Sequence, residues 1–286
     1  MESATVPQEE PMAAGEQPKA DLKVWLGRGI MLIALTLTWL VCIFVFRVLN
    51  RTTVYGRQFA GPRRRCLIVS NHQSLIDSFL VGMVVYFPAV LWHPDLAPAH
   101  LADAKNFSSH GTLRYIYDIL RVIPVARTAK GKRNDMAALR AVRRVLEQGR
   151  TLHVFIEGSR SQTEELLPPR REVGGHALVE GVTVLTVYFR GMHAVQEYCK
   201  NPDDLPPTLW NRLFGKPGRH TEWLTKLRAG NRIEIAIGRP IPPEEILAIA
   251  GQGAPRERQA RVAEAIMDHI KNLRKQVQQN VTSAQQ

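Results

Sequence analysis

Cysteine is scarce in this chain: Cys42, Cys66 and Cys199 are spread across 286 positions. They cannot all pair, and buried free thiols in a reducing compartment are the simple reading. No C-x-x-C or H-E-x-x-H spacing occurs and the nine histidines are scattered, so a metal site is not expected. Acidic residues are also outnumbered, 26 against 38 lysines and arginines, for a formal net charge of +12. That balance favours a polyanionic partner, either anionic lipid head groups or nucleic acid. Aromatic-basic interleaving and a helix-turn-helix signature are missing, which argues against nucleic acid. Residues 1–20 have few bulky apolar side chains and are expected to form a disordered tail.

One long uncharged run is present. Ile30 to Phe46 carries no charge for 17 residues, about 26 Å of helix, against a hydrocarbon core of about 30 Å. No small-residue cleavage pattern follows it, so residues 21–50 are expected to remain as a membrane helix. Six arginines and no acid lie between Arg47 and Arg65, which by the positive-inside rule places everything after the helix in the cytoplasm. Gly27 and Gly29 also permit a shallower arrangement, two helices lying in one leaflet.

Beyond the anchor, apolar runs alternate with helical periodicity, the signature of an α/β domain over residues 51–250. Strands are expected near 66–70, at 122–125, 151–156, 182–189 and 232–237. Helices are expected near 74–87, 111–120 and 134–148, the last stopped by Gly149. Pro and Gly punctuate 197–230, a loop-rich insertion with short helices. Residues 251–286 carry an amphipathic helix after Pro255 and a polar tail.

Two polar clusters each follow an apolar run. In Asn71-His72-Gln73-Ser74-Leu75-Ile76-Asp77, positions five apart lie about 140° apart on a helix, so His72 must precede the helix if it is to meet Asp77. Ser74 as N-cap with the helix starting at Leu75 puts Asp77 in the first turn, free to reach back to the imidazole. Ser74-x-x-Asp77 also reads as a capping box, which would account for Asp77 without any chemistry. The second cluster is Glu157-Gly158-Ser159-Arg160-Ser161. It lacks the second glycine of a nucleophile elbow, which excludes a serine hydrolase of that kind. His153, within an apolar strand, and His176 are read as structural.

Together, N-H-x-S-x-x-D at 71–77 and Phe155-Ile156-Glu157-Gly158-Ser159-Arg160-Ser161 closely resemble the signatures of the glycerolipid acyltransferases typified by 1-acylglycerol-3-phosphate acyltransferase. Ile123-Pro124-Val125-Ala126-Arg127 and Gly238-Arg239-Pro240-Ile241 look like the family's other two blocks, so the resemblance covers roughly residues 50–245. Ile156 stands where the family has proline and Ser159 where it has threonine. The later V-P-x-x-P-V pattern lacks both prolines at 182–187.

The resemblance implies a mixed sheet flanked by helices and a membrane-bound O-acyltransferase. It implies His72 as general base, Asp77 as its orienting partner, and Arg127, Glu157, Gly158 and Arg160 lining the acceptor pocket, with Asn71, Ser74, Ser159 and Ser161 in support. The co-substrate would be acyl-CoA or acyl-carrier protein, with no cofactor. The acceptor would be a lysolipid, foremost 1-acyl-sn-glycerol 3-phosphate. Another lysophospholipid, lyso-ornithine lipid or glycerol 3-phosphate are the alternatives. Arg63-Arg64-Arg65 and the basic helix near 140–150 are expected at an anionic membrane surface. A membrane-tethered, basic nucleic-acid-binding protein is the alternative from another class.

Overall fold

Runs of β-branched and aliphatic residues that are apolar at every position form strands buried on both faces, as parallel sheets require. In the computed structural model, Cys66–Ser70 (β2) is buried at all five positions, and Thr183–Arg190 (β6) at the six between its ends. The structure describes residues 22–61, 63–74, 76–87, 89–92, 97–103, 121–125, 136–161, 163–199 and 223–283. The expected tail at 1–20, the helix at 111–120 and Arg127 lie outside those residues.

Seven strands make one mixed sheet in the order β1-β9-β6-β2-β5-β3-β4. The others are Arg51–Tyr55 (β1), Ala99–Asp103 (β3), Val122–Val125 (β4), Leu152–Phe155 (β5) and Arg232–Ile237 (β9). Five strands from β6 to β4 run parallel, while β1 and β9 pair in parallel with each other and oppose them. Gln196–Cys199 (β7) and Trp223–Leu227 (β8) form a separate antiparallel pair at the two ends of the segment expected as a loop-rich insertion.

The alternation of side chains along β2 sorts the core into two layers. Leu67 and Val69 face a layer made by helices α4 (Met136–Glu147), α5 (Arg171–Ala177), α6 (Pro243–Ala250) and α7 (Pro255–Ser283). The apolar side of α7, from Val262 to Val277, enters this layer, so the terminal helix is part of the core. Cys66 and Ile68 face the other layer, built from α1 (Leu22–Ile43), the π-helical turn Phe44–Leu49, α2 (Asp77–Val81) and the π-helical turn Gly82–Tyr86. A four-residue helix, α3 (Ala89–Trp92), lies against α1.

Helix α4 shows how the local code works. Val142 and Leu146 are buried while Arg140, Arg143 and Arg144 are exposed. Gly149, at φ 72°, donates to Leu146 O, and Arg150 donates to Val145 O, a Schellman ending that needs a left-handed residue.

Of the two arrangements expected for the N-terminal segment, the spanning helix is not supported. Helix α1 forms, but among the described residues no helix is long and apolar enough to cross a membrane. The segment is also two-sided: Cys42, Val45 and Phe46 are buried in the protein and Trp39 stacks on Phe87, while Ile30, Ile33, Leu37, Leu40, Val41, Phe44 and Val48 are exposed. Arg65 donates to the carbonyls of Glu147 and Glu180 and Arg63 to those of Phe59 and Gly61, and α4 lies across the sheet from α1.

Candidate active site

Strands β2 and β5 are parallel neighbours, with Ser70 in register with Phe155. Their carboxyl ends therefore open side by side, and the loops that follow carry the two polar clusters. Ile156 N continues the ladder by donating to Ser70 O, and Ser161 N donates to His72 O at 2.9 Å, tying one loop to the other. The two clusters, distant in sequence, thus form one site.

The first loop is pegged by its own side chains. Where the backbone leaves β2, Asn71 replaces the ladder: its Nδ2 donates to Phe189 O at 2.9 Å and its Oδ1 accepts from Phe189 N at 2.8 Å. Gln73 Oε1 accepts from Met192 N at 3.1 Å. Between these two pegs His72 is presented at the loop's crest, its side chain 17% exposed, with the ring stacked on Phe155 at 3.6 Å between centroids and 9° between planes.

Asp77 is 0% exposed and its carboxylate is saturated. Oδ2 accepts from the backbone N–H of Gln73 (2.6 Å), the N–H of Ser74 (2.8 Å) and His72 Nδ1 (3.0 Å), while Ser74 Oγ donates to Oδ1. The two sequence readings of Asp77 are both realised: it returns to the N–H of Ser74 as a capping-box acid does, and with the same oxygen holds the imidazole. Ser74 departs from expectation. The helix begins at Asp77, and the Ser74 hydroxyl accepts from Ile76 N at 3.3 Å and bonds the carboxylate. The amides of residues 73 and 74 take the place of a longer helical turn.

Glu157 presents the opposite case. It is 2% exposed, and among the described residues neither carboxylate oxygen has a hydrogen-bond partner. Burial pushes its pKa from 4.5 up to about 7; the amides of Leu167 and His72 temper this without reaching hydrogen-bond geometry, and the Asp77 carboxylate adds a smaller push upward. Its backbone is fixed by Arg170, whose Nε donates to Glu157 O at 3.3 Å and whose N–H donates to Ile156 O at 2.7 Å. Gly158, at φ 67°, donates to Phe155 O and makes the turn that a Cβ would oppose.

Ser159 and Arg160 are half-buried beside it. Ser161 is buried and its hydroxyl bonds the carbonyls of Thr163 and Glu165, a loop-holding role. Among the described residues no cluster of His, Cys, Asp and Glu could hold a metal ion. The structure thus gathers His72, Asp77, Glu157, Gly158, Arg160 and their supports. It adds three residues the sequence did not point to: Gln73 and Phe155, whose places in the motifs carry no chemical signal, and Arg170, which is remote from both.

An acyltransferase family model matches residues 51–190, the stretch from the first residue of β1 to the last of β6, with both loops inside it. This stretch is an acyltransferase domain. The chain's fold is similar to that of the 1-acyl-sn-glycerophosphate acyltransferase PlsC from Thermotoga maritima, with a TM-score of 0.54 and 20% identity over 90% of this chain and 84% of that one. The acyltransferase is therefore built on a sheet shared with an enzyme of little sequence identity, and the two loops at the ends of β2 and β5 are where its chemistry is sought.

Proposed function

We propose that this acyltransferase moves a fatty acyl group from acyl-CoA or acyl-carrier protein to a lysolipid hydroxyl, foremost 1-acyl-sn-glycerol 3-phosphate, giving phosphatidate. The observation that carries the reading is the His72 Nδ1 to Asp77 contact at 3.0 Å. With Nδ1–H donated to the carboxylate, Nε2 holds the lone pair and acts as base. It removes the proton from the acceptor hydroxyl, whose oxygen attacks the thioester carbonyl. The C–S bond then breaks, and the departing thiolate takes the proton back from the imidazolium. Asp77 fixes the tautomer and stabilises the imidazolium as it forms.

Glu157, Gly158 and Arg160 line the acceptor pocket, with Arg127 directed to the acceptor's phosphate; a guanidinium suits phosphate oxygens through paired hydrogen bonds. A lyso-aminolipid is the second acceptor reading, favoured by the Glu157 carboxylate, which has no hydrogen-bond partner among the described residues and which an ammonium group would neutralise.

The enzyme works at a membrane surface, held in one leaflet. Support comes from the apolar stripe on α1, from exposed Trp92 on α3 beside it, and from exposed Arg47, Arg51 and Arg57 where α1 hands over to the domain. Tryptophan and arginine at such a border suit the interface with anionic head groups.

The test is thioester consumption by wild type and His72→Ala across a panel of lysolipids. Wild type is expected to prefer the phosphate-bearing acceptor, and His72→Ala to lose roughly 10²- to 10⁴-fold in kcat. Full activity in His72→Ala would remove the base. If Arg127→Ala weakened phosphate-bearing and phosphate-free acceptors equally, the phosphate contact would be wrong.

A further inference from the structure

On the same face of the sheet as His72, a line of polar side chains runs through the interior and takes no part in the proton transfers above. His100 of β3 and His153 of β5 are register partners on adjacent strands. Their Nδ1 atoms lie 3.3 Å apart with the rings edge to face, and His153 Nε2 is 2.9 Å from Ser70 Oγ. Ser70 Oγ in turn donates to the carbonyl of Asn71 at 3.0 Å, one residue before His72. His153 is 1% exposed and Ser70 0%.

The hydrogens along this line are determined by counting. Ser70 has one hydroxyl proton, and the Asn71 carbonyl can only accept, so that proton is spent there. Ser70 must then accept from His153 Nε2–H, which leaves His153 Nδ1 as an acceptor for His100 Nδ1–H. The line is a directed relay of three hydrogen bonds ending on the peptide that carries the base. Burial keeps both rings neutral, lowering His100 to about 4 and His153 well below its usual range, with His100 and His72 adding to the latter.

A second route leads to the same place. The ring of His153 meets Phe155 edge-on at 4.7 Å between centroids, and the face of Phe155 is the platform on which His72 stacks. Resting on the reading of His72 as base, we propose that His153 is a positioning residue. Its Nε2–H fixes the Asn71 carbonyl through Ser70, its ring backs Phe155, and the two together set where the His72 imidazole meets the acceptor hydroxyl. Its neutrality has a use as well: the imidazolium that forms on His72 meets no second cation behind it.

Steady-state kinetics of His153→Phe, Ser70→Ala, the double variant and His153→Gln, with His72→Ala as reference, provide the test. His153→Phe keeps a ring against Phe155 and deletes both hydrogen bonds. Ser70→Ala deletes the last link at almost constant volume. Each is expected to lower kcat roughly tenfold, the scale of one buried hydrogen bond, with KM little changed and the acidic limb of the kcat–pH profile, where the base must be deprotonated, displaced. The double variant should be no slower than His153→Phe, and His153→Gln, whose amide N–H can replace Nε2–H but which lacks the ring against Phe155, should recover part of the loss. Wild-type kcat and an unmoved pH limb in Ser70→Ala, with His72→Ala inactive, would overturn the positioning role while sparing the base. An active His72→Ala would instead remove the base itself. Long-range 1H–15N spectra of the wild type give a check independent of folding: His153 should be the Nε2–H tautomer, and the Nδ1–H form would overturn the relay.

Discussion

Two carboxylates stand a few residues beyond adjacent strand ends, both out of reach of solvent, and they are treated in opposite ways. Asp77 accepts from four donors, all supplied by the loop it helps to close. The carboxylate of Glu157 has no hydrogen-bond partner among the described residues. A buried acid without partners is costly unless something else meets it. The contrast separates two arrangements: one carboxylate completes the protein's own loop, and the other is met by no donor among the described residues.

The comparison breaks most visibly at Asp77. Asp77→Asn places an amide N–H against the N–H groups of Gln73 and Ser74, so the loop and the imidazole lose their common acceptor. Acyl transfer is expected to fall on the order of 10³-fold, and the urea midpoint to drop by the equivalent of roughly 2 kcal/mol. Retention of both would mean the saturated carboxylate is incidental.

Glu157 sharpens the comparison through pH. Its folded pKa, about 7, lies above the ordinary 4.5, so between those values the folded chain binds more protons than the unfolded one. Its contribution is most favourable below about pH 4.5 and is lost as pH rises through about 7, on the order of 2 kcal/mol once solvent screening is allowed for. Glu157→Gln should abolish that slope, read as the wild-type minus variant difference in urea stability at several pH values. An unchanged difference would show the carboxylate to be partnered after all. Gly158→Ala tests the turn beneath it, with an expected cost of about 1–2 kcal/mol for a left-handed non-glycine residue and a weaker affinity for the acceptor. The smallest effect belongs to Arg274→Ala, which removes a two-pronged but largely solvent-facing ion pair with Glu165. Thermal melting should scarcely move.

Much of the site was legible because its chemistry is local. The imidazole, its acid and the strand before them fall within twelve residues, and the requirement that His72 precede the helix followed from helical geometry alone. Strands β2, β4 and β9 matched their expected bounds because uninterrupted or alternating apolar runs admit few other structures. Strands β1 and β3 escaped notice, since Arg51-Thr52-Thr53 and Ala99-His100 carry no strong pattern and are recruited by neighbouring strands. The helix expected over 74–87 breaks into α2 and a π-helical turn, a change of winding with no residue-level signature. The apolar run at 30–46 left a span and a one-leaflet arrangement both open, because sequence does not reveal that one side of it is already occupied by protein.

The hydrogen bond from Ser161 to the His72 carbonyl links segments separated by the whole excursion through β3, β4 and α4. Spacing between base and acceptor loop is therefore dictated by the pairing of β2 with β5, and the length or content of the excursion does not enter it. That excursion can be rewritten by mutation while the two loops keep their separation.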